Sequence, residues 1–270
     1  MGDNNAIVGA ERTGTLQIAQ YLLPCHAASL GFSRMPATPS DGRPCTLFLP
    51  GMRTLMNSTC LRAIPLTVLF NLIVCELPGH GISGEVEDVS LEGFAREYAA
   101  LIDRYVPNPQ PIWVIGESFG GLVGAVLARL RPDRIGKLVL LETPFLLTRP
   151  VLAAVLSRFW QIDRPPYHRR IYRELFGFDP RDGSRRELAD FHWTLEDLPA
   201  DCVALAGSES FTTDPVSEYR PPSHQSDADL AALRAIPRVS VLPRIPSAGH
   251  CLLLDDPWAC VSALARHLVA

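Results

Sequence analysis

The hydrophobic pattern of this chain becomes regular from Thr46 onward. Short apolar runs recur at 46–49, 71–75, 112–115, 137–141, 202–206 and 239–242. They do not alternate polar with apolar residues, so both faces are expected to be buried, as in a parallel sheet covered on each side. Helical patterns lie between most of them. The clearest opens at Ser90 and sets Leu91, Phe94, Ala95, Tyr98, Leu101, Ile102 and Tyr105 on one face. Another opens with Asp256 as N-cap and Pro257 at the first helical position, and runs to the C-terminus. Strand–helix alternation of this kind predicts an α/β fold: a mostly parallel central sheet with helices on both faces. Ahead of it, Thr15–Ile18 and Ser29–Phe32 read as antiparallel edge strands, and Ser40-Asp41-Gly42 as a turn.

One segment breaks the rhythm. Between Leu141 and Cys202 lie too many residues for a single crossover helix, and aromatics crowd there: Phe145, Phe159, Trp160, Tyr167, Tyr172, Phe176, Phe178, Phe191 and Trp193. Helices are expected at Pro150–Trp160 and Tyr167–Phe176. The division that follows is a core of 1–144 and 201–270 with a helical lid inserted over 145–200. Such a lid covers an apolar pocket, or else forms an extra helical layer with its own small core.

The chain's chemistry gathers around Ile112-Trp113-Val114-Ile115-Gly116-Glu117-Ser118-Phe119-Gly120-Gly121. A buried strand, Gly-x-Ser-x-Gly and a Gly/Ala-rich helix follow one another with no room for a loop. That context holds the serine in a strained strand-to-helix turn, exposes its Oγ at the C-terminal edge of the sheet, and sets a helix N-terminus beneath it. The flanking glycines are required because a Cβ there would meet the neighbouring chain. A serine at its free pKa is a poor nucleophile and needs a base. Of the seven histidines, His250 follows the last predicted strand in Ala248-Gly249-His250 and so shares the sheet edge with Ser118; the other six read as surface or core residues. Gly51 after the first regular strand lets the backbone approach a substrate, which makes the Met52 N–H an oxyanion donor together with that of Phe119.

Composition narrows the partners. The 270 residues are 47% hydrophobic and 20% charged with a net charge of −4, an ordinary globular balance without a dense Lys/Arg tract. Nucleic acid and anionic membrane are therefore not expected partners. The seven cysteines are scattered with no Cys-x-x-Cys, and residues 1–5 lack a basic n-region, so the expectation is reduced thiols in the cytoplasm. No metal-ligand spacing and no phosphate loop is found, so no cofactor is expected.

Taken in order, Leu-Pro-Gly-Met (49–52), Glu-Leu-Pro-Gly-His-Gly (76–81), Gly-Glu-Ser-Phe-Gly-Gly (116–121) and Gly-His with Asp-Asp-Pro (249–250, 255–257) resemble the α/β-hydrolase superfamily over roughly residues 30–270. The resemblance implies Ser118 as nucleophile, His250 as base, Met52 and Phe119 as oxyanion donors, and 145–200 as the cap. It implies a cofactor-free serine hydrolase of an apolar ester or thioester. Acyl transfer, amide or C–C cleavage on the same triad is the alternative, as is a binding protein with little turnover. The triad acid departs from the pattern. Where the family commonly has Gly-x-x-Asp after the penultimate strand, this chain has Gly207-Ser208-Glu209-Ser210. Asp214 in the same loop is the first candidate for the acid, with Glu209 and Glu142 as alternatives.

Overall fold

The computed structural model describes residues 6–13, 16–34, 42–52, 56–106, 110–146, 166–177, 179, 189–209 and 222–268. Among the described residues nine strands form one sheet: β1 (Ala6–Thr13), β2 (Leu16–Pro24), β3 (Ser29–Arg34), β4 (Cys45–Leu49), β5 (Asn71–Cys75), β6 (Ile112–Glu117), β7 (Ile135–Leu141), β8 (Asp201–Leu205) and β9 (Val239–Val241). Their spatial order is β1-β2-β3-β5-β4-β6-β7-β8-β9. The first three run antiparallel as a meander, and β3 pairs antiparallel with β5. Every pairing from β5 through β9 is parallel. The six regular apolar runs all become strands. The two strands expected at the edge are β2 and β3, which are antiparallel but interior, because β1 takes the edge; β1, where Gly9 and the charged pair Glu11-Arg12 break any apolar run, has no counterpart in the sequence reading. The turn expected at Ser40-Asp41-Gly42 lies outside the described residues except for Gly42, whose φ of 74° is left-handed.

Seven helices cover the sheet among the described residues: α1 (Met56–Ala63), α2 (Leu91–Tyr105), α3 (Phe119–Leu130), α4 (Pro166–Glu174), α5 (Asp227–Arg234), α6 (Leu252–Asp255) and α7 (Pro257–Leu268). Ser90 caps α2, its Oγ accepting from Gly93 N–H at 3.0 Å. Asp256 caps α7, its Oδ1 accepting from Ala259 N–H at 2.9 Å. Adjacent residues of the central strands go to opposite faces. Leu47, Leu49, Ile73, Cys75, Val114, Leu138 and Leu140 join a cluster with α2, α3, α4 and α5. Phe48, Leu72, Val74, Ile115, Val139 and Leu141 join a second cluster with α1, α6 and α7. A side-chain period of two with helices on both faces is why these strands are apolar throughout.

Within 145–200, α4 occupies the second predicted helix, whereas Pro150–Trp160 lies outside the described residues. Tyr167, Ile171, Tyr172, Phe176, Phe191 and Leu195 belong to the same cluster as α2 and α3 rather than to a core of their own. Polar contacts also seat α4. Tyr167 Oη accepts from Val86 N–H at 3.3 Å, His168 Nε2 lies 3.0 Å from Gly79 O, and the His168 ring stacks on His80 with centroids 4.3 Å apart. No helix among the described residues is long and apolar enough to cross a membrane. None of the seven cysteines is in a disulfide.

Candidate active site

Ser118 sits between the last residue of β6 and the first of α3 with φ 52° and ψ −120°, a region that side-chain-bearing residues rarely occupy. Such a conformation costs about 1–3 kcal/mol and persists only where its surroundings over-determine it. Here they do. A Cβ on Gly116 would lie 2.4 Å from Gly121 Cα, and one on Gly120 would lie 2.1 Å from Leu49 O, so the turn closes only with glycine at both places. Ser118 N–H donates to Leu141 O at 2.8 Å and Ser118 O accepts from Gly121 N–H at 3.0 Å, tying the serine to β7 and to the helix.

One strand further, the chain repeats the device. Glu142 directly follows β7, has φ 49°, and donates its N–H to Leu205 O of β8 at 2.9 Å. Two strained residues thus stand side by side at the C-terminal edge of neighbouring parallel strands. His250, on the loop between β9 and α6, reaches both. Its Nε2 lies 3.0 Å from Ser118 Oγ and its Nδ1 lies 3.4 Å from Glu142 Oε2. Gly249 N–H donates to Asp255 Oδ2 at 2.8 Å, which anchors that loop to the end of α6.

The Glu142 carboxylate is fully buried. Gly207 N–H (2.7 Å) and Ser223 Oγ–H (2.6 Å) donate to its Oε1, and His224 N–H (2.9 Å) donates to its Oε2. Burial pushes its pKa above the ordinary carboxyl value, while the bonds from Ser223, Gly207 and His224 pull the other way. The other two acid candidates are placed differently. Glu209 has an exposed side chain and uses its backbone, donating to Ala248 O at 2.9 Å and accepting from Ser223 N–H at 2.7 Å. Asp214, the first candidate from sequence, lies outside the described residues. Glu142 stands behind Asp214 in the sequence reading because nothing there shows that β7 and β8 end level with each other; that register is a tertiary fact. Ser223 and His224 carried no signal at all, being two residues of an irregular polar stretch.

The expected oxyanion donors flank the serine. Phe119 opens α3, so its N–H is one of the donors that a helix leaves without an intrahelical partner. Met52 follows Gly51, and a Cβ on Gly51 would stand 3.2 Å from Ser118 Cβ, which brings this loop against Ser118. An aromatic wall rises from the same place. Phe119 packs against Phe94 (5.4 Å between centroids) and Phe176 (5.6 Å), and Phe176 against Phe191 (5.8 Å). A cavity of about 510 Å³ lined by Arg43, Cys45, Asn71, Gln110 and Ile112 lies at the opposite edge, by the starts of β4, β5 and β6. Among the described residues no three His, Cys, Asp or Glu side chains are grouped as a metal ion would require.

Next to the serine in sequence, Glu117 meets Arg62 of α1, whose Nη1 donates to Oε1 at 2.7 Å and Oε2 at 2.9 Å. Both side chains are 6% exposed, and Arg62 Nε and Nη2 have no hydrogen-bond acceptor among the described residues. With so much of the guanidinium already unsatisfied, losing the carboxylate leaves a bare buried charge. Glu117→Gln is therefore expected to cost about 3–5 kcal/mol in urea unfolding, and Arg62→Met combined with Glu117→Leu to recover most of it. A single variant as stable as the wild type would show the pair to be solvated in solution.

A model of the alpha/beta hydrolase family matches residues 47–262. Lipase LipV of Mycobacterium tuberculosis is 36% identical over 86 residues, 30% of this chain and 32% of that protein. Pimeloyl-[acyl-carrier protein] methyl ester esterase of Klebsiella pneumoniae is 40% identical over 70 residues, 26% of this chain and 25% of that protein. The matches thus span a third or less of these curated relatives. Among solved structures, that of E-2-(acetamidomethylene)succinate hydrolase superposes with a TM-score of 0.66 at 20% identity, covering 94% of this chain and 100% of that one.

Proposed function

The chain belongs to the alpha/beta hydrolase family, and from that premise we propose that it is a serine hydrolase cleaving a carboxylic ester or thioester through an acyl-enzyme. The observation that carries this reading is the 3.0 Å approach of His250 Nε2 to Ser118 Oγ at the strained turn. At this distance His250 accepts the hydroxyl proton as Ser118 Oγ bonds to the substrate carbonyl carbon. The carbonyl oxygen gains the charge, which the Phe119 and Met52 N–H groups stabilise; each such donor is worth about 2.7–4 kcal/mol in the transition state. His250 then returns the proton to the leaving oxygen or sulfur, the tetrahedral centre collapses, and water repeats the sequence to release the acid. Glu142 holds His250 through Nδ1 and balances the imidazolium charge.

The named relatives are a lipase and a methyl ester esterase, which favours an oxygen ester. The aromatic wall of Phe119, Phe176 and Phe191 favours an apolar acyl group. We take residues 145–200 to be the cap over that group, with α4 and residues 189–200 among its described parts.

The test uses the wild-type chain with p-nitrophenyl and thiophenyl esters of acyl groups from acetyl to dodecanoyl, with water alone and with added methanol. A nitrophenolate burst equal to the enzyme present, then steady turnover in water, is the expected result. Methyl ester as the main product would move the reading to acyl transfer. No turnover across the panel, with no labelling by a fluorophosphonate, would overturn it.

A further inference from the structure

A second histidine lies against the site and has no part in the steps above. The His224 ring lies flat on the His250 ring, with centroids 3.5 Å apart and planes within 21° of parallel. Its backbone N–H donates to Glu142 Oε2 at 2.9 Å, the same oxygen that faces His250 Nδ1. We propose that His224 is a positioning residue for the Ser118 reaction, its ring holding the His250 imidazole in the plane that contains both Ser118 Oγ and Glu142 Oε2. The proposal rests on the reading of Ser118 and His250 as nucleophile and base.

The geometry explains why such a support matters. Rotation of an imidazole about its outer torsion is soft, with broad wells. To serve as base the ring must keep one nitrogen on the hydroxyl and the other on the carboxylate. The Nε2 side is well made at 3.0 Å. The Nδ1 side, at 3.4 Å, is longer than the 2.7–3.2 Å of an ordinary N–H···O bond, so the carboxylate alone restrains the ring weakly. A flat neighbour in van der Waals contact supplies what is missing, because turning His250 out of plane would drive its edge into His224. One residue thus fixes the carboxylate oxygen with its backbone and the ring plane with its side chain.

His224 is itself held fast. It is only 8% exposed. On one side Ser223 donates its N–H to Glu209 O (2.7 Å) and its Oγ–H to Glu142. On the other, Gln225 Nε2 donates to Thr143 O, and Gln225 O accepts from Arg244 Nη2 at 2.9 Å. Arg244 is in turn paired with Asp227 at 2.9 Å. A ring on so fixed a loop can act as a stop for its neighbour.

The test compares His224→Ala, His224→Leu and His224→Phe with the wild type. It measures the second-order rate of Ser118 labelling by a fluorophosphonate, kcat and KM on p-nitrophenyl butyrate, and Tm. Loss of the flat face in the Ala and Leu variants is expected to slow labelling and kcat by about 10–100-fold with KM little changed, the scale of a misplacement near 1 Å. Phenylalanine, flat but without nitrogens, is expected to restore most of the rate. Leucine fills the volume, so its slow reaction in a folded protein separates ring placement from simple packing. Wild-type rates in the Leu variant overturn the proposal, as does a Phe variant as slow as Leu. Absence of labelling in the wild type overturns the nucleophile reading itself, and this inference with it.

Discussion

Ser118→Ala is expected to lower kcat by about 10⁶-fold and to abolish fluorophosphonate labelling, leaving Tm within a degree or two of the wild type. The rate loss follows from the proposed role of Ser118 as the nucleophile that His250 activates, since single losses of a triad serine are of that size. Unchanged stability follows from the backbone: alanine meets the same strain at φ 52° that serine does, and the glycines that close the turn stay in place. The measurement is steady-state turnover of a p-nitrophenyl ester with a gel readout of the probe. Equal labelling of the variant would locate the nucleophile elsewhere. The buried thiols are poor substitutes, since burial pushes Cys25 and Cys60 up to about 11.

Glu142→Gln is expected to lower kcat by about 10⁴-fold with little change in KM, because on the proposed mechanism the imidazolium loses its counter-charge and His250 its fixed tautomer. Asp214→Asn and Glu209→Gln should leave kcat unchanged; a large loss in either, with Glu142→Gln active, would move the acid to the 209–214 loop. The same variant carries a signed prediction for stability. Burial raises the Glu142 pKa in the folded state above its ordinary 4.5. A carboxyl raised in this way contributes stability that is fully present below the unfolded value and is lost as pH rises through the folded one. The wild type therefore loses stability over the window in which its acid becomes charged and useful, and Glu142→Gln does not. The Tm of the variant minus that of the wild type should grow more positive as pH rises from below about 4.5 through that window. A difference that stayed flat with pH would mean that the carboxyl is not raised.

Much of this could be read directly from the chain. The apolar runs predicted the six strands from β4 to β9 because a covered parallel strand must be apolar on both faces. Ser90 and Asp256 announced α2 and α7 because a helix leaves N–H groups that such side chains satisfy. Gly116 and Gly120 announced the strained serine because no other residue fits against Gly121 and Leu49. Where the reading fell short, the missing information was non-local. The strand β1 has a glycine and charges in its middle, and α1, α5 and α6 are too short for periodicity to stand out.

Gly-x-Ser-x-Gly between a buried strand and a small-residue helix is a local statement about backbone geometry. Sequence alone determined it, together with the sheet and the loop that carries His250, because strain, capping and strand burial are set by residues a few positions apart. Only the tertiary structure brought Glu142 and His224 to His250. Those placements depend on where β7 and β8 end relative to each other and on how the chain returns at residues 222–226. The contacts span 108 positions between Glu142 and His250 and 82 between Glu142 and His224, separations over which no spacing rule operates.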